Sequence, residues 1–152
     1  MFDPQTVPDD PMSSITLHSE MAELRRLETW LQEFFAANQL PKSDVLTVFL
    51  VLEEVVSNII VHGYDRAPGK EILVRLQLSE GNLRIEIEDR AKPFNPLEVP
   101  PLQLADSIQD QEAGGMGVHI VRNIVDQLDY RRDGDRNRLT LLKSTRIQDT
   151  SR

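Results

Sequence analysis

The chain has 152 residues, 17 of them basic and 25 acidic, and a net charge of −8. That length fits one domain with a hydrophobic core, and 39% hydrophobic with 28% charged residues is an ordinary globular composition. The acidic balance argues against binding nucleic acid by phosphate neutralisation, and the lack of cysteine excludes disulfides and thiolate metal sites. We expect a cytoplasmic protein with no signal peptide, no membrane-spanning segment and no nucleic-acid partner.

The first half of the chain predicts an arm, a strand and two helices. Residues 1–13 carry three prolines and three aspartates, and we expect a disordered or loosely docked arm. The segment SITLH is a candidate for a short edge strand. Apolar residues recur at helical spacing over 19–38, with Ser19 as the N-cap. A second helix is predicted over about 43–64, before a turn rich in glycine and proline.

The second half predicts two hairpins, separated by a long loop and a third helix. EILVRLQL and LRIEIED alternate between apolar and polar residues, and LDYRR and RLTLLKS form a closing hairpin. Residues 91–113 hold four prolines and no clear period, which is typical of a functional or mobile loop. The third helix is predicted from about Val118 to Leu128. We expect one domain at 14–145 and a tail at 146–152; its element order indicates an α+β sandwich, with helices on one face of a mixed or antiparallel sheet.

The first candidate site lies on the second predicted helix. Its apolar stripe must face the core, so Glu54 and Asn58 project together from the opposite, partly covered face. An amide oxygen suits Mg²⁺, and a carboxylate can accept a proton. The alternative is a simple hydrogen bond between residues four apart on a helix surface.

The second candidate site lies at the end of LRIEIED. Alternation places Leu83, Ile85 and Ile87 on one face, and Asp89 falls on that same apolar side. A carboxylate there costs free energy unless a donor meets it, and an adenine amino group is one such donor. The alternative is that Asp89 only caps the following turn.

The third candidate site is the glycine-rich segment EAGGMGVHIV, before the third predicted helix. Such a turn directs several backbone N–H groups, and the positive end of the helix dipole, at one point, which suits phosphate oxygens. The lack of a β-carbon at Gly115 and Gly117 would let phosphates approach the main chain. The alternative is an ordinary turn at a helix start, since the spacing matches neither a Walker loop nor a Rossmann fingerprint.

Taken in this order, the three sites are more specific than any one of them. E-x-x-x-N on a helix, D-x-[GA]-x-x-F at a strand end and G-G-x-G before a helix resemble the GHKL family of ATP-binding domains, over about residues 15–144. SNIIVHGY, PFNP and GGMGVHIV resemble the branch of bacterial anti-sigma factors that are serine/threonine protein kinases. The resemblance implies the Bergerat (GHKL) fold, a two-layer sandwich with helices on one face of a mixed, mostly antiparallel sheet.

The resemblance also implies a role for each matching residue. Asn58 would coordinate the Mg²⁺ that bridges the ATP phosphates, Glu54 rather than Glu53 would be the general base, and Asp89 would bind the adenine amino group. Residues 95–113 would form a lid over the nucleotide. The other residues implied in nucleotide binding are Ala91, Phe94, Gly114, Gly115, Met116, Gly117, Val118 and His119. Ala91 stands where the family usually has glycine, and its methyl group would narrow the base pocket.

The partners follow from the same resemblance. The substrate would be a serine or threonine of a STAS-type anti-anti-sigma factor, and the chain would sequester a sigma factor when that partner is phosphorylated or absent. A homodimer formed through the helix at 19–38 is also implied. Two alternatives stay open: a nucleotide-binding anti-sigma module without kinase activity, and the ATP-binding domain of a histidine kinase.

Overall fold

The computed structural model describes residues 7–8, 10–95 and 121–145. Within these ranges a five-stranded sheet is combined with two main helices. The bounds are β1 Met12–His18, α1 Leu24–Ala37, α2 Lys42–Asn58, β2 Glu71–Ser79, β3 Asn82–Asp89, β4 Gln127–Asp133 and β5 Arg136–Ser144. A short 3-10 turn, Met21–Glu23, precedes α1; a π-helical segment, Ile59–Gly63, extends α2; and residues 121–124 are helical.

The strands lie in the order β1-β2-β3-β5-β4, and every pairing between them is antiparallel. The α+β sandwich and both hairpins are therefore confirmed. The β2–β3 hairpin is tight because Glu80 and Gly81, its two loop residues, have φ of 52° and 79°. A two-residue loop with two positive φ angles matches the twist of the strands that it joins. SITLH is confirmed as part of the edge strand β1.

The core lies between the helices and one face of the sheet. The predicted apolar face of β3 is confirmed, since Leu83, Ile85 and Ile87 are all buried. From α2 the core receives Val45, Val48, Val51, Leu52 and Val56. By length and composition alone, Lys42–Gly63 could cross a membrane. The burial of these five residues accounts for its apolar composition, which is that of a core helix.

The opposite, polar face of β3 is also largely closed to solvent. Glu88 is only 9% exposed, and Arg84 only 5%. Three guanidinium groups lie 3.3 to 3.6 Å from the Glu88 carboxylate, those of Arg75, Arg136 and Arg138. Burying a carboxylate costs folding free energy unless the charge is paired, so these arginines offset the cost of burying Glu88.

The free edge of β1 is partly covered by its own chain. The Glu23 carboxylate accepts a hydrogen bond from the His18 backbone N–H at 2.9 Å, and contacts the Arg26 guanidinium through both oxygens at 3.1 Å. Arg26 in turn donates to the Thr16 carbonyl. We call Glu23 and Arg26 the edge clasp. It satisfies backbone groups at the end of β1 that another strand could otherwise use.

Two predicted helix ends are wrong. The N-cap prediction for Ser19 fails because α1 begins only at Leu24, after the 3-10 turn. The Ser19 hydroxyl instead donates to the Ala67 carbonyl at 2.6 Å and accepts from the Lys70 N–H at 2.9 Å, which anchors the loop before β2. The third helix does not extend to Leu128, since Leu128 lies on β4 and pairs with Leu141.

The predicted arm at 1–13 overlaps β1, which begins at Met12. Before it, the carbonyls of Pro8 and Asp10 accept hydrogen bonds from the buried Gln77 side chain. The described part of the arm therefore lies against the sheet. The bounds of the arm, the domain and the tail stay predictions.

Candidate functional site

The helix part of the site is Glu54 with Asn58, both half-buried on α2. The Asn58 Nδ2 donates to Glu54 Oε1 at 3.3 Å. The hydrogen bond between residues four apart on the helix, which the sequence offered as the alternative to a functional site, is therefore present. It also sets the orientation of the amide, since Nδ2 turns toward Glu54 and leaves Oδ1 on the other side of the group. An oxygen presented in this way can serve as a ligand to a hard cation.

A π-helical segment connects Asn58 to the strand part of the site. The Tyr64 N–H donates to the Ile59 carbonyl at 2.7 Å, five residues earlier, where an α-helix would use the carbonyl four residues earlier. Such segments are rare and are frequent at functional sites. This one delivers Gly63 and Tyr64 to the end of β3.

The end of α2 is docked directly on the residues after β3. The Tyr64 hydroxyl accepts from the Arg90 N–H and donates to the Glu71 carbonyl, each at 2.8 Å. A β-carbon added at Gly63 would lie 2.7 Å from the Ala91 Cβ, closer than real β-carbons approach. Glycine is therefore required at 63 when alanine occupies 91. These contacts join the element that carries Asn58 to the one that carries Asp89.

The strand part of the site is Asp89, which is 6% exposed. Its Oδ1 accepts two hydrogen bonds, each at 2.8 Å, from the Ala91 N–H and from the Asn137 Nδ2. Asp89 therefore caps the following turn through the Ala91 N–H, which was the predicted alternative. It also accepts a hydrogen bond from Asn137 on β5. Burial raises the pKa of Asp89 above its ordinary value, although the bonds from Asn137 and Ala91 and the nearby Arg132 charge oppose that shift.

Asn137 holds this region together. It pairs with Asp89 across the β3–β5 ladder and is 6% exposed. Its Nδ2 also lies 3.1 Å from the carbonyl oxygens of Ala91 and Lys92, and its Oδ1 accepts from the Tyr130 hydroxyl and from Arg132 Nη1, the latter at 3.2 Å. Arg132 Nη1 also donates to the Ala91 carbonyl at 2.8 Å. The turn after Asp89 is therefore held by the side chains of Asn137 and Arg132, and Tyr130 supports Asn137.

The remaining predicted residues are only partly described. Ala91 is buried at the contact with Gly63, and Phe94 is 48% exposed. Outside the described residues lie the glycine turn, with Gly114, Gly115, Met116, Gly117, Val118 and His119, and all of the predicted lid except Asn95. No group of three or more His, Cys, Asp or Glu side chains that could hold a metal is found in the described ranges.

Asn137, Arg132, Tyr130 and Gly63 belong to the site but were not predicted from the sequence. A signal for Asn137 exists: the alternation of Leu139 and Leu141, extended back by two residues, places Asn137 on the core face of β5. Its pairing with Asp89 depends on the register between β3 and β5, which are separated by the long loop. The importance of Gly63 depends on its contact with Ala91 and has no local sequence signal.

Comparison with known proteins identifies a family for this chain. A model of the histidine kinase-like ATPase domain family matches residues 17–143. The chain is 25% identical to the serine/threonine-protein kinase BtrW of Bordetella bronchiseptica over 112 residues, which cover 74% of this chain and 79% of that one. It is 24% identical to an anti-sigma F factor of a Geobacillus species over 131 residues, covering 84% and 90% of the two chains.

A solved structure has the same fold. The structure of the RsbU and RsbW domains of Rv1364c from Mycobacterium tuberculosis matches with a TM-score of 0.63 and 21% identity. The match covers 89% of this chain, which spans about a third (32%) of that longer chain. The chain belongs to the histidine kinase-like ATPase domain family, and its relatives include proteins named as anti-sigma factors and as a serine/threonine kinase.

Proposed function

We propose that the chain is an ATP-dependent serine/threonine protein kinase that also acts as an anti-sigma factor. One observation carries the proposal. The end of α2, with Glu54 and Asn58, is docked through Gly63 and Tyr64 onto the end of β3, with Asp89, in a chain of the histidine kinase-like ATPase family. The residues proposed as proton acceptor, cation ligand and base-binding carboxylate are thus carried by elements in direct contact.

The nucleotide would bind between these two parts of the site. Asp89 would accept a hydrogen bond from the adenine amino group, with Phe94 closing the base pocket. The phosphates would meet the backbone of the glycine turn, Gly114 to His119. Ala91 narrows the base pocket less than its methyl group suggests, because that group packs toward the space left by Gly63.

The described side chains fit a magnesium ion that is bound together with phosphate. The Asn58 amide turns its nitrogen to Glu54, and its oxygen is left as a ligand. The described residues hold no cage of three or more acidic or histidine side chains. Mg²⁺ commonly takes one or two protein ligands and completes its shell with phosphate oxygens and water. When bound, it would neutralise charge on the transferred phosphoryl group.

In the proposed reaction, Glu54 accepts the proton of a serine or threonine hydroxyl on the partner. The hydroxyl oxygen bonds to the γ-phosphorus of ATP, the bond from phosphorus to the β–γ bridging oxygen breaks, and ADP leaves. Asn58 holds Glu54 by the 3.3 Å contact, and so positions the base. Placement of the reacting groups and stabilisation of charge would supply most of the rate.

The proposed partners are a STAS-type anti-anti-sigma factor, as phosphate acceptor, and a sigma factor, which the unphosphorylated partner releases. Residues 95–113 would act as the lid, and α1 with its surroundings would form a homodimer. Trp30 and Phe34 on α1 pack against the core, and Trp30 also donates to the Ser13 hydroxyl at 3.0 Å, which supports a structural role for both.

The deciding experiment is transfer of label from [γ-³²P]ATP, with Mg²⁺, to each STAS-domain protein of the source organism. We expect label on a serine or threonine of one of them, and loss of that label when the acceptor is changed to alanine. Label on a histidine of the chain itself would instead identify a histidine kinase domain. Binding of ATP with no transfer to any of these proteins would identify a binding module without kinase activity.

A further inference from the structure

The Tyr64 hydroxyl lies between the ends of two neighbouring strands. It accepts a hydrogen bond from the Arg90 N–H and donates one to the Glu71 carbonyl, each at 2.8 Å. The pairing of β2 with β3 ends at Ile72 and Asp89, so the next step of the same register sets Glu71 opposite Arg90. The hydroxyl therefore takes the place of a direct bond between these two residues and forms the last connection of the ladder.

The hydroxyl makes both bonds only while it keeps its proton. Burial raises the pKa of Tyr64 above its ordinary value of 10.0, although the bond from the Arg90 N–H opposes that shift. At neutral pH the group is therefore a donor and an acceptor at once. Without it, the Arg90 N–H and the Glu71 carbonyl are left unpaired or must approach each other directly. Either result displaces the peptide group that follows Asp89.

Tyr64 is also joined to the helix that carries Asn58. The π-helical segment continues α2 without a break, and Asn58 lies six positions before Tyr64. The last turn is closed by two bonds, from the Tyr64 N–H to the Ile59 carbonyl at 2.7 Å and from the Arg66 N–H to the Ile60 carbonyl at 2.9 Å. Because a hydrogen-bonded helical backbone has little freedom, the position of the Tyr64 backbone and that of Asn58 are linked.

The other contacts between the end of α2 and the turn after β3 are weaker. The Lys92 N–H lies 3.4 Å from the Gly63 carbonyl, beyond the usual range for a hydrogen bond. The Lys92 ammonium and the Asp65 carboxylate, 3.0 Å apart, form an exposed ion pair, which contributes little. The close approach of Gly63 to Ala91 limits how near the two elements come, but not how far apart they lie. Among the hydrogen bonds of the described residues, those of the Tyr64 hydroxyl best fix this distance.

We propose that Tyr64 is a positioning residue, whose hydroxyl keeps Asn58 and Asp89 at a fixed separation and so couples the binding of the cation to the binding of the base. This inference rests on the proposed binding of Mg²⁺ and adenine at these two residues. A nucleotide held at one part of the site presents its other end to the second part at a high effective concentration, provided that the spacing matches. When the spacing changes, the second contact contributes less.

The test measures how much Mg²⁺ strengthens the binding of ADP. Dissociation constants are determined by calorimetry in EDTA and again in Mg²⁺, and their ratio is the gain from the cation. The base and the phosphates are present in both solutions, so a change in this ratio reports on the cation at Asn58. The variant is Tyr64→Phe, which removes the hydroxyl and keeps the ring that packs against the core.

Ser19→Ala is the matched control. The Ser19 hydroxyl also donates to a carbonyl, that of Ala67, and accepts from a backbone N–H, that of Lys70. Both partners belong to the connection between α2 and β2, as Tyr64 does, but neither lies in the turn after β3. Loss of this hydroxyl should therefore lower the stability of the chain without changing the separation of Asn58 from Asp89.

We expect the gain from Mg²⁺ to fall about five- to tenfold in Tyr64→Phe, the effect of losing about one hydrogen bond, and to stay unaltered in Ser19→Ala. In a double-mutant cycle with Asn58→Ala, Tyr64→Phe should cause no further fall, because it acts through Asn58. A merely structural loss would weaken ADP equally in EDTA and in Mg²⁺. Thermal denaturation establishes that each variant is folded.

An unchanged gain in Tyr64→Phe would overturn the inference while leaving the proposed function intact, and so would an equal fall in Ser19→Ala. A further fall in the Asn58→Ala background would overturn it as well, since Tyr64 would then act by another route. If the wild-type chain binds no ADP, or binds it equally with and without Mg²⁺, the proposed function falls and the inference with it. Should Tyr64→Phe unfold, the ratio is measured for all chains in trimethylamine N-oxide, which favours the folded state.

Discussion

The two parts of the candidate site are built in different ways. On the strand side, Asp89 is 6% exposed and is held by two hydrogen bonds of 2.8 Å, in a network with Asn137 and Arg132. On the helix side, Glu54 and Asn58 are half-buried, and within the described residues their side chains make one hydrogen bond, the 3.3 Å bond between them. The strand side is thus fixed in advance, whereas the helix side depends on weak local contacts.

This difference indicates which part of the proposed site is already in its binding geometry once the chain has folded. Recognition of the base requires a single acceptor in a fixed place, and the buried network supplies it at the end of a rigid sheet. The helix side chains have to meet a cation, phosphate oxygens and a partner's hydroxyl. Because a single hydrogen bond holds their side chains within the described residues, changes there should alter chemistry more than stability, and changes at the strand side should alter affinity.

The largest expected effect is on the helix side. Glu54→Gln should slow phosphoryl transfer by about 10²- to 10⁴-fold, the range for a general base, while ADP affinity and the melting temperature stay nearly unchanged, since the bond from Asn58 contributes only a few tenths of a kcal/mol. The measurement is label transfer together with calorimetry. The matched control is Glu53→Gln, an exposed neighbour on the same helix. Full activity in Glu54→Gln would remove Glu54 from its proposed role.

The next effect is on the strand side. Asp89→Asn should weaken ADP binding by about ten- to a hundredfold, because a hydrogen bond to a charged acceptor is lost. Stability at pH 7 should not fall. Burial raises the pKa of Asp89, so the carboxylate costs folding free energy as the pH rises above the ordinary pKa of 3.8, and asparagine has no such cost. Calorimetry and denaturation by urea measure the two quantities. An Asp89→Asn variant that binds ADP as the wild type does would place the base elsewhere.

Adding one methyl group at position 63 tests the contact between the end of α2 and the turn after β3. Gly63→Ala should destabilise the chain by about 1 to 3 kcal/mol, the usual cost of overpacking, since the new β-carbon would lie 2.7 Å from Ala91 Cβ. The double variant Gly63→Ala with Ala91→Gly should regain most of that loss. Urea denaturation of the four chains gives the coupling free energy. If the two changes were simply additive, the contact would not govern this junction.

The smallest effect lies away from the site, at the edge clasp. The bonds from Arg26 and from the His18 N–H lower the pKa of Glu23 from 4.5 to about 2. A lowered pKa means that the ionised form stabilises the fold. The stabilisation is complete above about pH 4.5 and is lost as the pH falls toward 2. Glu23→Gln should therefore cost about 1 kcal/mol or less at pH 7, and the gap to the wild type should close on acidification. A gap that stays constant from pH 7 to pH 2.5 would contradict this assignment.

Much of the fold could be predicted from the sequence because its signals are local. Strict alternation located β2 and β3, and the helical spacing of apolar residues located α2. The predictions failed where a distant partner decides. Ser19 has the chemistry of an N-cap, but its hydroxyl bonds to Ala67 and Lys70, some fifty residues away. Leu128 fits the helical pattern, yet pairing with β5 places it in a strand.

The candidate site divides in the same way. Asp89 could be predicted because a carboxylate on the apolar side of a strand is unusual, and Glu54 and Asn58 because they share a helix face. Asn137 could not be chosen in advance, since only the β3–β5 register places it opposite Asp89. A long loop separates β3 from β5, so packing of the whole sheet sets their register. The register cannot be predicted from any short segment of the sequence.

The close approach of Gly63 to Ala91 also constrains how this chain can vary over time. The two positions share room for a single methyl group, so a lineage can place alanine at either one but should rarely place it at both. Exchange between the two arrangements would have to pass through an ancestor with glycine at both positions. Comparison of natural variants should therefore find positions 63 and 91 changing in a linked, reciprocal manner.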